Sequence, residues 1–408
     1  MGFGQGLSGL NAAAQNLDVI GNNIANSKTA GFKAASMAFA DVYANSRVGM
    51  GVQVAGINQR FTAGNVELTG NQFDMAIDGE KGFFRLLDTS GTPVYSRNGQ
   101  FHQDKDFYIT NAQGHRLTGY QVRSDGTLSD QLSPLRVPSG NIEPRATSSI
   151  EIGANLDANA TAVSDSVGFD PANSSSYTHS LPITVYDSLG NSHTLMQYYI
   201  KREPDANQPD NSTWEVRFAL EDNVLGQSET LQFSPSGVLL NEPPYFDLAI
   251  ASSAISSGSP ADDLEVRFNY EGSTQFGGEF NPKFTQNGYP TGEYSSMSVS
   301  KDGSMVASYT NGITRTIGSV ALADFNNPNG LQPLGDNAFA ETGESGQPVL
   351  GVPGNQGLAT LKGQSIEASN VDLSAELVNM IIAQRTYQAN AQTIKTQDQV
   401  MQTLISLR

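Results

Sequence analysis

The stretch that decides the fold lies at one end of the chain, where residues 373–408 read LSAELVNMIIAQRTYQANAQTIKTQDQVMQTLISLR. Along it an apolar side chain recurs every seven positions, as in helices that pack lengthwise on a partner. The first register contains Leu373, Met380, Tyr387, Ile394 and Met401, and the second contains Leu377, Ala391 and Ile405. The repeat predicts one long helix.

The start of this helix is marked by Ser369, which is followed three residues later by Asp372. A hydroxyl can cap a free amide at a helix start, and an acid there meets the positive end of the helix dipole. We therefore expect the helix to begin near Asn370. Running to Arg408, it would be ~55 Å long at ~1.5 Å per residue, a length that calls for a partner helix.

A similar repeat lies at the other end of the chain. All 18 Pro residues fall between Pro93 and Pro353, so both ends lack the strongest helix breaker. The N-terminal repeat consists of Phe3, Leu10, Leu17 and Ile24, with Leu7, Ala14 and Gly21 in the second register. Because this second helix offers small residues, pairing the two ends would bury little apolar area, and we expect neighbouring copies to stabilise the pair. The alternative is an ordinary helical hairpin within one chain.

Between the helices, short alternating runs are separated by turn residues, which predicts antiparallel strands. The strands are expected at Phe83–Leu87, Val94–Ser96, Phe107–Thr110, Arg116–Val122, Leu181–Tyr186, His193–Ile200, Trp214–Leu220 and Glu265–Tyr270. The turn sequence Ser124-Asp125-Gly126 follows the strand at Arg116–Val122. Turns with positive φ are expected at Asn98-Gly99, Asp125-Gly126, Asp302-Gly303 and Asn311-Gly312. Polar stretches at 157–176 and 249–262 predict linkers or long loops, and we place domain edges near residues 146 and 290.

Charge and composition exclude several classes of function. The net charge of -18 opposes docking on nucleic acid or on anionic lipid, because the long-range field repels both. With no Cys, the chain forms neither disulfides nor thiolate metal sites. No window approaches the ~20 apolar residues of a spanning helix, and no basic residue precedes Lys28, so we expect neither membrane insertion nor a cleaved signal peptide.

The sequence also lacks the patterns of common catalytic sites. Its four His residues, at 102, 115, 179 and 193, lie in separate segments without metal-ligand spacing. The acidic groups at 104 and 106 and at 262, 263 and 265 do not follow a calcium-loop pattern. Neither a phosphate-binding loop nor a nucleophile elbow occurs. We predict no catalytic, cofactor-binding or metal site, and no enzyme activity.

Both ends carry a more specific signal. Residues 22–33 read NNIANSKTAGFK, which resembles the signature that follows the first helix in bacterial flagellar rod, hook and hook-associated proteins, with Asn23, Asn26, Gly31 and Phe32 as its motif residues. The run from Ser369 to Asn390 resembles the matching C-terminal signature. Five further segments are similar to hook proteins of this family: Asp78 to Phe84, Tyr95 to Phe101, Leu117 to Tyr120, Val185 to Asn191 and Ala391 to Gln399.

The resemblance implies an α+β multidomain chain whose terminal helices pair as a coiled-coil layer, with two mainly antiparallel β domains nested between them. It implies a helical tube-forming domain at 1–30 and 369–408, a connecting segment at 31–72 and 360–368, a first β domain at 73–145 and 291–359, and an inserted outer β domain at 146–290. The polymerisation residues would be Leu10, Leu17, Ile24, Leu373, Met380, Tyr387, Ile394 and Met401.

The function implied is a structural subunit of the flagellar hook, a flexible curved tube that transmits motor torque to the filament as a universal joint. The partners implied are further copies of the chain, the distal rod, the hook cap, the hook–filament junction proteins and the type III export apparatus, with export lacking a cleaved signal. Two alternatives stay open: a distal rod protein of the same family, and a secreted β-rich hydrolase or adhesin.

Overall fold

The structure is a computed structural model that describes residues 3–42, 49–123, 125–204, 210–221, 223–255 and 260–406. Its helices are α1, Phe3–Ala25, a short α2, Ser252–Ile255, and α3, Leu373–Ser406. No helix in these ranges combines the length and apolarity needed to cross a bilayer. The predicted end of the last helix at Arg408 lies outside the described residues.

The start of α3 differs slightly from the prediction. The backbone N–H groups of Ser374 and Ala375 donate to Asp372 Oδ1 at 2.9 and 3.1 Å, so Asp372 is the capping residue. The hydroxyl of Ser369 accepts from Val371 N in the turn before the helix. The sequence placed the start three residues too early because Ser and Asp are equally good caps, and the spacing did not decide between them.

Strands occupy most of the remaining chain. In order they are β1 Ala35–Val42, β2 Gly51–Gln59, β3 Val66–Leu68, β4 Met75–Asp78, β5 Phe83–Leu87, β6 Pro93–Ser96, β7 His102–Gln103, β8 Ile109–Thr110, β9 Arg116–Val122, β10 Leu128–Pro134, β11 Ser149–Asn155, β12 His179–Tyr186, β13 Ser192–Arg202, β14 Ser212–Leu220, β15 Asn223–Phe233, β16 Tyr245–Ile250, β17 Leu264–Asn269, β18 Asn281–Gln286, β19 Tyr294–Val299, β20 Ser304–Tyr309, β21 Thr314–Val320, β22 Leu322–Asp324, β23 Gln332–Gly335, β24 Ala338–Ala340, β25 Val349–Gly351, β26 Thr360–Gly363 and β27 Ser365–Glu367.

The chain divides into two compact units. Unit 1 is Met1–Ser139, Ser295–Ser308 and Thr314–Arg408, and unit 2 is Gly140–Tyr294 with Tyr309–Ile313. Unit 1 therefore contains both ends of the chain. Most of unit 2 is one insertion between two strands of unit 1. The finer division into four parts stays a prediction.

Unit 1 is built around a large sheet of short antiparallel strands, with β5 and β9 near its centre. Three smaller pairings lie beside it. β1 and β2 form a hairpin, whereas β26 with β4 and β27 with β3 join distant segments of the chain. An aromatic cluster fills its core, where rings meet edge to face, as ring quadrupoles favour. The cluster contains Phe83, Tyr95, Phe325, Leu331 and Phe339, with Phe61 packed against it.

Unit 2 is a sandwich of two four-stranded sheets, with strand orders β12-β13-β14-β15 and β16-β17-β11-β18. Alternate side chains of both sheets point into one continuous core, as in β-sandwiches. The pairing of β11 with β17 is parallel, whereas the other pairings of these two sheets are antiparallel. Trp214, the single Trp of the chain, lies fully buried in this core.

The predicted strands are found at their expected places, with ends that differ by a few residues. One exception is Phe107, which lies in a turn with φ 66 before the short β8. Gly126, Gly303 and Gly312 have the predicted positive φ, whereas Ser124 lies outside the described residues. Part of the polar stretch at 249–262 forms α2, and residues 256–259 are also outside the described ranges.

The prediction of a positive φ at Asn98-Gly99 was wrong, because neither residue has a positive φ. Its backbone instead passes close to β4: a methyl group on Gly99 would lie 1.6 Å from the carbonyl oxygen of Met75. Glycine is therefore required at this position for close approach and not for turn geometry.

Candidate functional site

The two terminal helices pack against each other in antiparallel orientation. A methyl group on Gly6 would lie 3.1 Å from Ile394 Cγ1, and one on Gly9 would lie 2.8 Å from Asn390 Oδ1. Near the other end of α1, Asn23 Nδ2 donates to Glu376 Oε1 at 3.3 Å. Glycine on α1 thus lets the helix axes approach closely, and small residues take the place of large interlocking side chains.

The face that each helix buries differs from the predicted apolar stripe. On α1 the buried residues are Gly6, Ala12, Ala13, Ile20 and Asn23, and on α3 they are Glu376 and Ala383. Of the predicted polymerisation residues, Leu10, Leu17, Ile24, Met380 and Ile394 are half-buried, and Leu373, Tyr387 and Met401 are exposed. The stripe therefore borders the contact between the two helices and leaves apolar area open.

Further apolar side chains of α3 face outward, among them Leu377, Val378, Ile381, Ile382, Val400 and Ile405. A soluble helix normally turns such residues toward a core. An exposed apolar surface that runs along a helix indicates an interface with another protein surface.

A hairpin formed by β1 and β2 lies against α1. The backbone N–H of Val52 donates to Ser8 Oγ at 3.3 Å, and a methyl group on Gly51 would lie 2.1 Å from the same oxygen. Together α1, α3 and the hairpin enclose a groove of about 680 Å³. We call it the helix–hairpin groove; it is lined by Gln5, Gly9, Ala12, Ala13, Asn16, Val19, Ile20, Ala35, Ser36, Met37, Phe39, Gly51, Val52, Glu376, Asn379, Ile382, Ala383, Thr386 and Asn390.

The motif residue Asn23 fixes where the hairpin begins. Its Nδ2 donates to Ala35 O at 2.8 Å, and its Oδ1 accepts from Ala35 N at 2.9 Å. The buried amide thus pairs with the backbone at the start of β1 as a neighbouring strand would. Because the same Nδ2 reaches Glu376, Asn23 joins α1, β1 and α3.

The remaining motif residues shape the exit from α1. Asn26 donates through Nδ2 to Asn22 O and accepts from Thr29 Oγ1 through Oδ1, which closes the last turn. Gly31 has φ 72, and a methyl group there would lie 2.5 Å from Asn98 N, so a larger residue meets both strain and a clash. The side chain of Phe32 is half-buried, and its carbonyl accepts from Asn370 N at 3.4 Å.

A buried charge cluster lies directly after this motif. Glu367 Oε1 accepts from Lys33 Nζ at 2.6 Å and from the backbone N–H of Gly64 at 2.8 Å, and Oε2 accepts from Arg97 Nη1 at 3.2 Å. The three charged side chains have no exposed area. One carboxylate therefore joins four segments: the exit of α1, the connection after β2, the turn after β6, and β27.

Burial acts on the protonation of this cluster. Desolvation lowers the pKa of both Lys33 and Arg97, and the Glu367 carboxylate opposes this shift at each cation. The cations also donate to backbone carbonyls: Lys33 to Thr62 O, and Arg97 to Gly79 O and Glu80 O. Removing one partner would leave a buried charge unpaired, which is strongly destabilising. We call the meeting point of these four segments the junction.

The sequence prediction missed this cluster. Lys33 and Arg97 both lie inside motifs that resemble the flagellar family, but their partner Glu367 is more than 300 residues from Lys33. Asn370, in the C-terminal signature, closes the same junction: its Oδ1 accepts from Ala34 N and its Nδ2 donates to Arg60 O, each at 2.7 Å. Two signatures at opposite ends of the chain could have suggested contact between the ends, but not which atoms meet.

Residues with possible catalytic chemistry remain dispersed. His193 lies between carboxylates, with Nδ1 3.2 Å from Glu221 Oε1 and Nε2 3.4 Å from Asp187 Oδ2. His179 stacks on Phe280, and burial lowers its pKa. Across the described ranges, no group of three or more His, Asp or Glu side chains has an arrangement that could hold a metal ion.

Comparison with known families gives one consistent result along the chain. The flagella basal body rod protein family matches residues 5–33, and the flagellar hook protein FlgE/F/G D1 domain matches residues 76–164. The flagellar basal body protein FlaE D2 domain matches residues 155–289, and the flagellar basal body rod FlgEFG protein C-terminal family matches residues 362–407.

Curated relatives are similar over the full length. The flagellar hook protein FlgE of Escherichia coli K12 is 41% identical, with 100% of both chains covered. That of Salmonella typhimurium LT2 is 40% identical at the same coverage, and that of Borreliella burgdorferi is 32% identical over 99% of this chain and 98% of the relative. The crystal structure of Helicobacter pylori flagellar hook protein FlgE2 covers 74% of this chain and 100% of its own, with a TM-score of 0.56 at 15% identity, which shows a shared fold.

Proposed function

This chain belongs to the flagellar hook protein family, and from this premise we propose that its terminal helices form the polymerising layer of the hook. Like the other members of this family, it is a structural subunit of the hook and not an enzyme. The observation that carries the proposal is the exposed apolar surface of α3. Water disfavours such a surface at roughly 25 cal/mol per Å², so contact with neighbouring copies is favourable. In this arrangement the helices pair as a coiled-coil layer with Leu10, Leu17, Ile24, Leu373, Met380, Tyr387, Ile394 and Met401 at the contacts.

The charge cluster and Asn23 support a mechanical role for the junction. A tube that transmits torque must connect its polymerising helices firmly to the rest of each subunit. Glu367, in β27, binds the exit of α1 and the segments that follow β2 and β6 through three direct hydrogen bonds. We infer that torque passes from the helices to the β strands through this junction, so that the hook acts as a universal joint.

The four-part division at 1–30 with 369–408, 31–72 with 360–368, 73–145 with 291–359, and 146–290 belongs to the same proposal. The helical domain would form the inner tube, and the β domains would form the outer layers. Polar surfaces in those layers exchange contacts with water at small cost, which would let neighbouring subunits slide as the hook bends.

The proposed partners follow from a place in the hook. Further copies form the polymer, the distal rod, the hook cap and the hook–filament junction proteins meet its two ends, and the type III export apparatus delivers the chain without cleaving a signal.

The test is electron microscopy of basal bodies from cells that lack this chain. We expect complete rods that end without a hook, and restored hooks when the chain is supplied again. Truncated rods would move the protein into the rod, and intact hooks would contradict the proposal.

A further inference from the structure

The last turns of α3 extend past the described part of α1. The two helices have 34 and 23 residues, so that α3 is longer by about 16 Å at about 1.5 Å per residue. Met401 follows Ile394 by one heptad, but Ile394 is already near Gly6, close to where the described part of α1 begins. The apolar face thus continues beyond its partner helix.

This projecting segment, which we call the α3 tail, is uncharged and carries exposed apolar side chains. Residues 399–406 read QVMQTLIS, without one charged side chain in a protein of net charge -18. Val400, Met401 and Ile405 are 53%, 57% and 72% exposed. Met401 and Ile405 are four residues apart and so share one helix face, as the anchors of a helix that binds in a groove do.

The helix–hairpin groove of the same unit has matching properties. Its lining on α1 includes the small residues Ala12 and Ala13, which leave room on that side of the groove. Phe39 and Ile382, 48% and 56% exposed, stand on opposite walls. Glu376 is the charged side chain among its lining residues, and it already contacts Asn23 and Arg60. The groove therefore suits an uncharged, apolar segment.

A chain cannot place its own tail in its own groove. Ala383 lies in the groove, and Met401 lies about 27 Å further along the same helix at about 1.5 Å per residue. We propose that the α3 tail of one copy binds in the helix–hairpin groove of the next copy. This inference rests on the proposed polymerising role of the terminal helices and names the surfaces that meet.

The contact joins two different surfaces, so each copy uses its tail on one neighbour and its groove on another. A head-to-tail contact of this kind does not close on itself unless its rotation forms a ring, and otherwise generates an open helical filament. The groove and the tail thus supply one contact of the kind that extends an open helical assembly of identical subunits.

The test uses the absence of Cys from the sequence. A chain with Phe39→Cys and Met401→Cys is expressed in cells that lack the native chain, and isolated hooks are oxidised mildly and analysed without reductant. We expect a ladder of dimers, trimers and longer products, because each copy links to two neighbours. A disulfide within one chain is excluded, since it requires Cα atoms within about 7 Å.

The matched control pairs Phe39→Cys with Gln399→Cys, which is exposed on the same tail but on another face of the helix. It should give much less product, and each single Cys variant should give none of the ladder. Should the double variant build no hooks, the two single variants are co-expressed with the native chain, and dimers of the two variants are expected.

Intact hooks without linked products, or equal linking by the Gln399 control, would overturn the tail-in-groove contact. Either result would leave the hook function untouched, which is tested by the basal bodies of cells lacking the chain. Products limited to dimers in the double variant would also overturn the head-to-tail arrangement, because a self-complementary contact stops at two copies.

Discussion

Two parts of the molecule differ in how much of their apolar surface they bury within one chain: the helical pair of α1 and α3, and the sandwich of unit 2. The sandwich encloses a continuous core of more than twenty buried side chains between two sheets. The helical pair buries mainly small residues and leaves many large apolar side chains half-buried or exposed. The sandwich is therefore complete within one chain, whereas the helical pair leaves apolar area that neighbouring copies would cover in the proposed polymer. Under this proposal, stability and assembly depend on different parts of the sequence.

The largest expected effect is the loss of assembly without loss of the sandwich. Ile394→Asp places a charge beside Gly6 on the apolar face of α3, where pairing requires it to be desolvated. We expect no hooks by electron microscopy and no swimming, with an unchanged denaturant midpoint by Trp214 fluorescence. Leu17→Asp should act in the same way from α1.

The matched control is Gln392→Asp, which adds the same charge on an exposed face of α3. Hooks should form normally in this variant. Normal hooks and motility in the Ile394→Asp variant would refute the separation of assembly from stability and the assignment of this face to the polymer.

The next effect concerns the junction between the helices and the β strands of unit 1. Glu367→Gln leaves Lys33 and Arg97 buried without their shared carboxylate. Breaking a buried ion pair costs about 3–5 kcal/mol, so we expect calorimetry to show a lower unfolding temperature for unit 1. The fluorescence transition of Trp214 in unit 2 should stay in place.

Glu344→Gln, on an exposed side chain of the same unit, serves as the control and should leave both transitions unchanged. If Glu367→Gln shifted neither transition, the cluster would have no part in holding the junction. A shift of both transitions by the same amount would show that the two units unfold together.

A cavity in the sandwich should instead destabilise unit 2. Phe268 is fully buried, and Phe268→Ala is expected to lower the free energy of unfolding by about 3–5 kcal/mol because it removes packing and leaves a void. Denaturant titration followed by Trp214 fluorescence measures this directly. Phe276→Ala, on an exposed ring of the same unit, should change it by less than about 0.5 kcal/mol.

The smallest effect is a loss of sandwich stability at alkaline pH. Burial raises the pKa of Tyr199 and of Tyr270 above the usual value near 10. Above that pH the unfolded chain loses these protons while the folded chain retains them, so the free energy of unfolding falls as pH rises. Each such tyrosine contributes a slope of up to about 1.4 kcal/mol per pH unit.

Trp214 fluorescence in denaturant at pH 9 to 11 checks this slope. Tyr270→Phe removes one of the two groups and should make the decline less steep. An identical decline in the variant would show that the ionisation of Tyr270 is not coupled to unfolding of the sandwich.

Features with a local cause were predictable from the sequence. The seven-residue repeats identified both terminal helices because a helix brings every seventh residue to nearly the same side. The strands and the positive-φ turns at Gly126, Gly303 and Gly312 followed from alternation and from the conformational freedom of glycine. The two terminal signatures indicated the family, and full-length similarity to curated hook proteins confirmed it.

Features that depend on distant segments were decided only by the tertiary structure. A repeat cannot tell which side of α1 faces α3, and the buried side proved to be Gly6, Ala13 and Ile20, beside the predicted stripe. Gly99 is fixed by the passing backbone of Met75, and the charge of Lys33 is balanced by Glu367. Local periodicity specifies the elements because it depends on neighbouring residues, whereas burial and ion pairing depend on which surfaces folding brings together.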